Sequence, residues 1–226
     1  MKNNKYKILV LSELNKSANK TLNSSISIAK IINADINFFY VKKATEVVEK
    51  ESQLSAMRNI NKEYFSIDKQ IKEFINPFSE NHDVSINHKF MIGNVKNEIG
   101  KYIDENKPDI IVLGKRKSKL LNFMGDNITE YILNKHKGTI VITDDKNTLE
   151  PNKELSLGLF NSTSTKGEFT ESIINATQKP LTSFKISENS KNIKEVDTLN
   201  KKTIEYVFEE GNNVLKNISN YLSKNN

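Results

Sequence analysis

The segment from Pro108 to Asp145, PDIIVLGKRKSKLLNFMGDNITEYILNKHKGTIVITDD, constrains this chain more than any other. A short β-branched run, Ile110-Ile111-Val112-Leu113, ends at Gly114; such a run suits a parallel strand buried on both faces. Lys115, Arg116, Lys117 and Lys119 follow. Gly125-Asp126-Asn127 then opens a helix running to Asn134, whose free N–H groups and positive dipole end would lie beside the basic loop. A last strand covers Thr139 to Thr143. Strand, basic glycine-flanked loop, helix and strand form a candidate phosphate-binding unit.

Upstream, strands and helices alternate. KILVLSE (7–13) reads as a first buried strand, and Leu22, Ile26, Ala29 and Ile32 recur at helical spacing between Asn15 and Ala34. INFFYV (36–41) is a second strand. Met57, Ile60, Tyr64, Ile67, Ile71, Phe74 and Phe78 step by three and four along a long amphipathic helix, expected to end near Pro77. That stripe suits a helix covering a sheet better than a coiled-coil partner, because parallel sheets need both faces covered. Val84–Ile92 is a third strand, and Val95, Ile99, Tyr102 and Ile103 mark a short helix that Pro108 stops. The order predicts an α/β, doubly wound, mostly parallel five-stranded sheet over residues 1–145. Ligands in such sheets bind at the carboxyl ends of strands, here Ser12 and Glu13, Val41 and Lys42, and Gly114.

Asp144 to Lys153, polar and containing Pro151, reads as a linker, taken as 146–153. Beyond it, residues 154–226 carry a shortened second copy of the unit. SINHKFMIG (85–93) matches TIEYVFEEG (203–211) with the Ile, Phe and Gly in register, and Val95, Ile99, Tyr102 and Ile103 find counterparts in Val214, Ile218, Tyr221 and Leu222. Strands four and five have no counterpart. A three-stranded copy leaves an open edge and a small core, so it is expected to pack on the first domain or to be a truncated remnant.

Composition removes several function classes. The chain has no cysteine, which excludes disulfides and thiol chemistry. Its net charge of +6 is spread without a long single-sign block, so a nucleic-acid partner is not expected. No stretch approaches the ~20 apolar residues of a membrane span, and a cytoplasmic location is expected. His82, His88 and His136 lie on different elements without partners at metal-ligand spacing, and no Gly-x-Ser-x-Gly elbow occurs, so neither a metal site nor that hydrolase chemistry is supported.

Strand order, glycine loop and internal copy together resemble the universal stress protein family, including its two-copy members, with an adenine nucleotide alpha hydrolase-like fold. GNVKNEIGKYIDENKPDIIVLGKRK (93–117) is similar to that family's third helix, fourth strand and loop entry. In nucleotide-binding members the loop carries two closely spaced glycines, a longer spacer, then a third glycine followed by Ser or Thr, and it holds the ATP phosphates. By that resemblance Glu13 takes the acidic position that holds the ribose, Val41 the adenine contact, and Gly114 the first glycine. Lys117 stands where the second glycine belongs, Gly125 comes early, and Asp126 replaces the Ser or Thr. A β-carbon at position 117 restricts close backbone approach, and Asp126 sets negative charge among Lys115, Arg116 and Lys117. The loop is thus either a solvated turn in which Asp126 caps the helix, or an altered anion site extending to Gly125 and Asn127. The resemblance implies a stress-response or regulatory protein without catalysis and with impaired ATP binding. Its alternative is a nucleotide switch or slow ATPase taking ATP or AMP. It also implies a homodimer through Thr139, Ile140, Val141, Ile142 and Thr143, unless the second copy pairs there within the chain.

Overall fold

The computed structural model describes residues 6–15, 18–44, 53–114, 128–143, 148–155, 158–160, 168–178, 180–187, 203–209, 211 and 213–224. It divides into two units, Met1–Asn152 and Lys153–Asn226. The first contains β1 (Tyr6–Leu11), α1 (Ala18–Ile32), β2 (Ala34–Lys43), α2 (Gln53–His82), β3 (Ile86–Gly93), α3 (Val95–Asn106), β4 (Ile110–Gly114), α4 (Ile128–Lys135) and β5 (Thr139–Thr143). Its five strands lie in the order β3-β2-β1-β4-β5, and every pair is parallel. β1 is the centre: Ile8 to Leu11 pair with Ile36–Phe39 on one side and with Ile110–Leu113 on the other.

Residue parity divides the core into two layers. Leu9, Leu11, Phe39, Ile111 and Leu113 face α3 and α4 and pack with Val95, Ile99, Tyr102, Ile103, Ile128 and Ile132. Phe39 stacks on Tyr102 with centroids 4.3 Å apart, and burial pushes the Tyr102 phenol pKa above its ordinary value. Phe38 lies on the opposite face against Phe74 of α2, at 5.7 Å. Each fully buried aromatic or branched side chain of these layers contributes roughly 1.5–3 kcal/mol.

Three helices of this unit end on a non-glycine residue in the left-handed region: Asn33 after α1, Asp83 after α2 and Lys107 after α3. The boundary of α2 differs from the sequence expectation, since the helix runs through Pro77 to His82. Proline removes one backbone donor. Beyond it the apolar stripe continues, with Phe78 against Phe74 at 5.6 Å. The end comes where Asp83 turns left-handed and Val84 N donates to Ser79 O at 3.2 Å, a Schellman-type closure.

Polar contacts fasten α2 to the sheet. Lys42 of β2 pairs with Glu63. His88 Nε2 of β3 lies 2.8 Å from Asp68 Oδ1, and Lys72 approaches the same carboxylate at 2.7 Å. His88 therefore has the carboxylate partner that its sequence neighbourhood lacks, supplied from a helix twenty positions earlier. Among the described residues no group of three or more His, Cys, Asp or Glu could hold a metal ion.

The second unit holds β6 (Gly158–Phe160), α5 (Glu168–Ala176), β7 (Leu181–Ser187), β8 (Thr203–Glu209) and α6 (Val214–Lys224). Its parallel sheet has the order β6-β7-β8. Phe184 of β7 contacts Tyr221 of α6 at 5.7 Å and Phe208 of β8 at 6.3 Å. The sequence match of Phe90 with Phe208 is one residue out of phase in space. Phe90 packs on Tyr64 of α2, on the face away from Tyr102, whereas Phe208 shares the Tyr221 face. A one-residue slip in a period-two strand exchanges the faces.

The His88 ring, and then Lys72, hold the Asp68 carboxyl below its usual value. A depressed acid contributes stability that is complete above the unfolded-state pKa and lost as pH falls through the folded-state value. Asp68→Asn is therefore expected to destabilise the protein by under about 1 kcal/mol near pH 5, since the pair is part-exposed, and by progressively less below pH 3.8. Urea denaturation of both proteins across pH 3 to 6 measures this. A difference independent of pH contradicts it.

Candidate functional site

A doubly wound sheet opens a crevice where successive crossovers leave in opposite directions. Here β1 leads outward to β2, while the chain later returns to β4 on the other side of β1. At the carboxyl edge near this point lies a cavity of about 40 Å³. Leu11, Ser12 and Glu13 line it from β1, Phe39, Tyr40 and Val41 from β2, Val95 and Ile99 from α3, and Ile128 and Thr129 from α4. Its floor is apolar, and the polar residues in its lining are Ser12, Glu13, Tyr40 and Thr129.

The turn after β1 sets the acidic rim. Asn15 N donates to Glu13 O at 2.9 Å, and Ala18 N at the start of α1 donates to Asn15 O at 3.0 Å. Asn15 Nδ2 also donates to Glu13 Oε2 at 3.1 Å. Glu13 is exposed, so its carboxylate stands at the mouth while its backbone is held by the turn. Across the opening, α3 begins at Asn94, whose side chain accepts from Asn97 N at 3.1 Å; this cap satisfies an otherwise orphan donor of the first turn.

Of the residues singled out by sequence, the structure brings Glu13 and Val41 into one lining. Gly114 is not in that lining. Parity turns it to the α1 face, where an added Cβ would lie 2.8 Å from Thr21 Oγ1. Lys42 likewise faces away, towards Glu63 of α2. Lys115, Arg116, Lys117, Gly125, Asp126 and Asn127 lie outside the described residues.

The β5 residues divide by depth. Ile140 packs against the core layer of α3 and α4, Ile142 is 50% exposed, and Thr143 is buried with its hydroxyl donating to Leu113 O at 3.1 Å. β5 is the last strand of the sheet, with β4 as its neighbour. Sequence reasoning missed the pairing of Thr21 with Thr143, the latter taken only as an interface candidate, and the places of Asn15 and Thr129. The first two are separated by 122 positions, and no local pattern marks a buried hydroxyl pair.

Comparison with known proteins adds three findings. The model of the universal stress protein family matches residues 6–143. The solved universal stress protein UspA from Lactobacillus plantarum superposes with a TM-score of 0.51 at 16% identity, over 61% of this chain and 96% of that one. A universal stress protein from Archaeoglobus fulgidus superposes with a TM-score of 0.64 at 12% identity, over 96% of this chain and 84% of that one. No curated protein matches the sequence significantly. At these identities the two structures speak to the fold alone. Among the described residues, no helix is long and apolar enough to cross a membrane.

Proposed function

Because the chain belongs to the universal stress protein family over residues 6–143, we propose that it is a cytoplasmic stress-response or regulatory protein, non-catalytic, with impaired ATP binding. The observation that carries this reading is the separation of the two halves of the sequence-predicted site. Glu13 and Val41 share the cavity, but Gly114 is turned towards Thr21, and Lys117 occupies the second glycine position of the family loop. An apolar crevice at the strand ends is kept, and Lys117 in place of a loop glycine weakens the backbone grip on phosphate. Among the described residues, the lining offers no His or Lys base beside a nucleophile.

The second reading is a nucleotide-binding switch or slow ATPase using Glu13, Val41, Gly114, Lys115, Gly125 and Asn127. It is favoured by the convergence of Glu13 and Val41 on one opening. Residues 154–226 are, in our reading, a shortened copy of the first domain, with 146–153 as linker. Supporting it, Phe184 against Tyr221 repeats the contact of Phe39 with Tyr102. Homodimerisation is assigned to β5, Thr139 to Thr143, whose Ile142 is half exposed at the sheet edge and whose Thr143 is buried.

Heating the purified protein and identifying released nucleotide by mass spectrometry, with calorimetric titration of ATP, ADP and AMP, separates the two readings. Weak or absent heat at millimolar ATP is expected, and micromolar ATP affinity overturns the first reading in favour of the second. Light scattering is expected to give a dimer that Ile142→Lys converts to monomer. A strict monomer before substitution rules out the β5 interface.

A further inference from the structure

Thr21 of α1 and Thr143 of β5 are 1% and 6% exposed, and their Oγ1 atoms lie 3.0 Å apart. Thr143 uses its single hydroxyl hydrogen on Leu113 O at 3.1 Å, so the hydrogen between the two hydroxyls comes from Thr21. The chain Thr21 Oγ1–H to Thr143 Oγ1–H to Leu113 O thus ties α1, β5 and the end of β4 at one point. Gly114 is the next residue, and among the described residues the only heavy atom near an added Cβ there is Thr21 Oγ1, at 2.8 Å. Its φ lies outside the left-handed region, so conformational freedom is not what requires glycine.

We propose that Thr21 and Thr143 are positioning residues that fix where the chain leaves β4, and that the Thr21 hydroxyl, rather than a ligand, dictates glycine at position 114. Turning the Thr21 side chain to admit a Cβ breaks its bond to Thr143 and leaves a buried hydroxyl without its donor. The rim of the cavity is built by β1, β2, α3 and α4 on one face of the sheet; the root of the basic loop is held from the other face by α1 and β5. The two halves of the candidate site are set by different layers. This holds whether or not a nucleotide binds.

A double-mutant cycle on the full chain tests the proposal. Gly114→Ala is expected to lower the thermal midpoint by roughly 2–8 °C, and to have almost no effect when introduced together with Thr21→Ala, because the obstructing oxygen is gone and alanine restricts the unfolded chain. If Gly114→Ala alone does not fold, the double variant should. Equal losses in both backgrounds, or a double variant that fails to fold, overturn the proposal. Hydrogen exchange read by mass spectrometry supplies the second arm. Thr143→Val should speed exchange in the peptide following Leu113 more than in α3, and Thr143→Ser should restore it. A uniform rise in exchange across the unit marks Thr143 as merely structural and overturns the positioning role.

Discussion

The double pairing of β1 is the constraint on which the first unit depends. Ile8, Leu9, Val10 and Leu11 are all buried, and their backbone groups are shared between β2 and β4. Alternate side chains then feed both layers, Leu9 and Leu11 towards α3 and α4, Ile8 and Val10 towards the opposite face. Water reaches neither face of the strand from Ile8 to Leu11. Its apolar run can be satisfied only in the middle of a sheet covered on both sides, which requires crossover helices and so determines the rest of the order.

From that centre the carboxyl edge inherits its geometry. The turn beyond Leu11 places Glu13 at the cavity mouth, with Asn15 bracing it and handing the chain to α1. The parity that sends Phe39 and Val41 into the α3 layer sends Lys42 towards α2. The same alternation in β4 turns Gly114 to α1. A ligand edge in this fold is thus assembled from two layers, and residues adjacent in sequence serve different ones. For the family's phosphate loop, a glycine at the root is compatible with both a packing and a binding role; here the nearby Thr21 hydroxyl accounts for it.

Much of the fold was legible from sequence because it depends on periodicity. β-branched runs gave β1 and β4, three-and-four spacing gave α2 and α3, and the five-strand order followed. What escaped was set by long-range packing. Pro77 reads as a stop, yet the Phe74–Phe78 contact carries the helix past it. Phe90 and Phe208 align as letters but face opposite ways, because period-two strands tolerate no slip. Thr21 with Thr143, and Asp68 with His88, are polar contacts between elements distant in sequence. That Glu13 and Val41 lie close together was legible because both fall near the carboxyl ends of neighbouring strands. The packing role of Gly114 was not, since it depends on a helix one layer away.

Native-state hydrogen exchange, resolved by residue, tests the central position of β1 most directly. If the sheet is held from its middle, the amides of Ile8 to Leu11 exchange only through global unfolding of the first unit, together with those of Ile110 to Leu113, while β3 and β5 at the two ends of the sheet open earlier. Amides of β1 that exchange by local opening at or before those of β5 would contradict it.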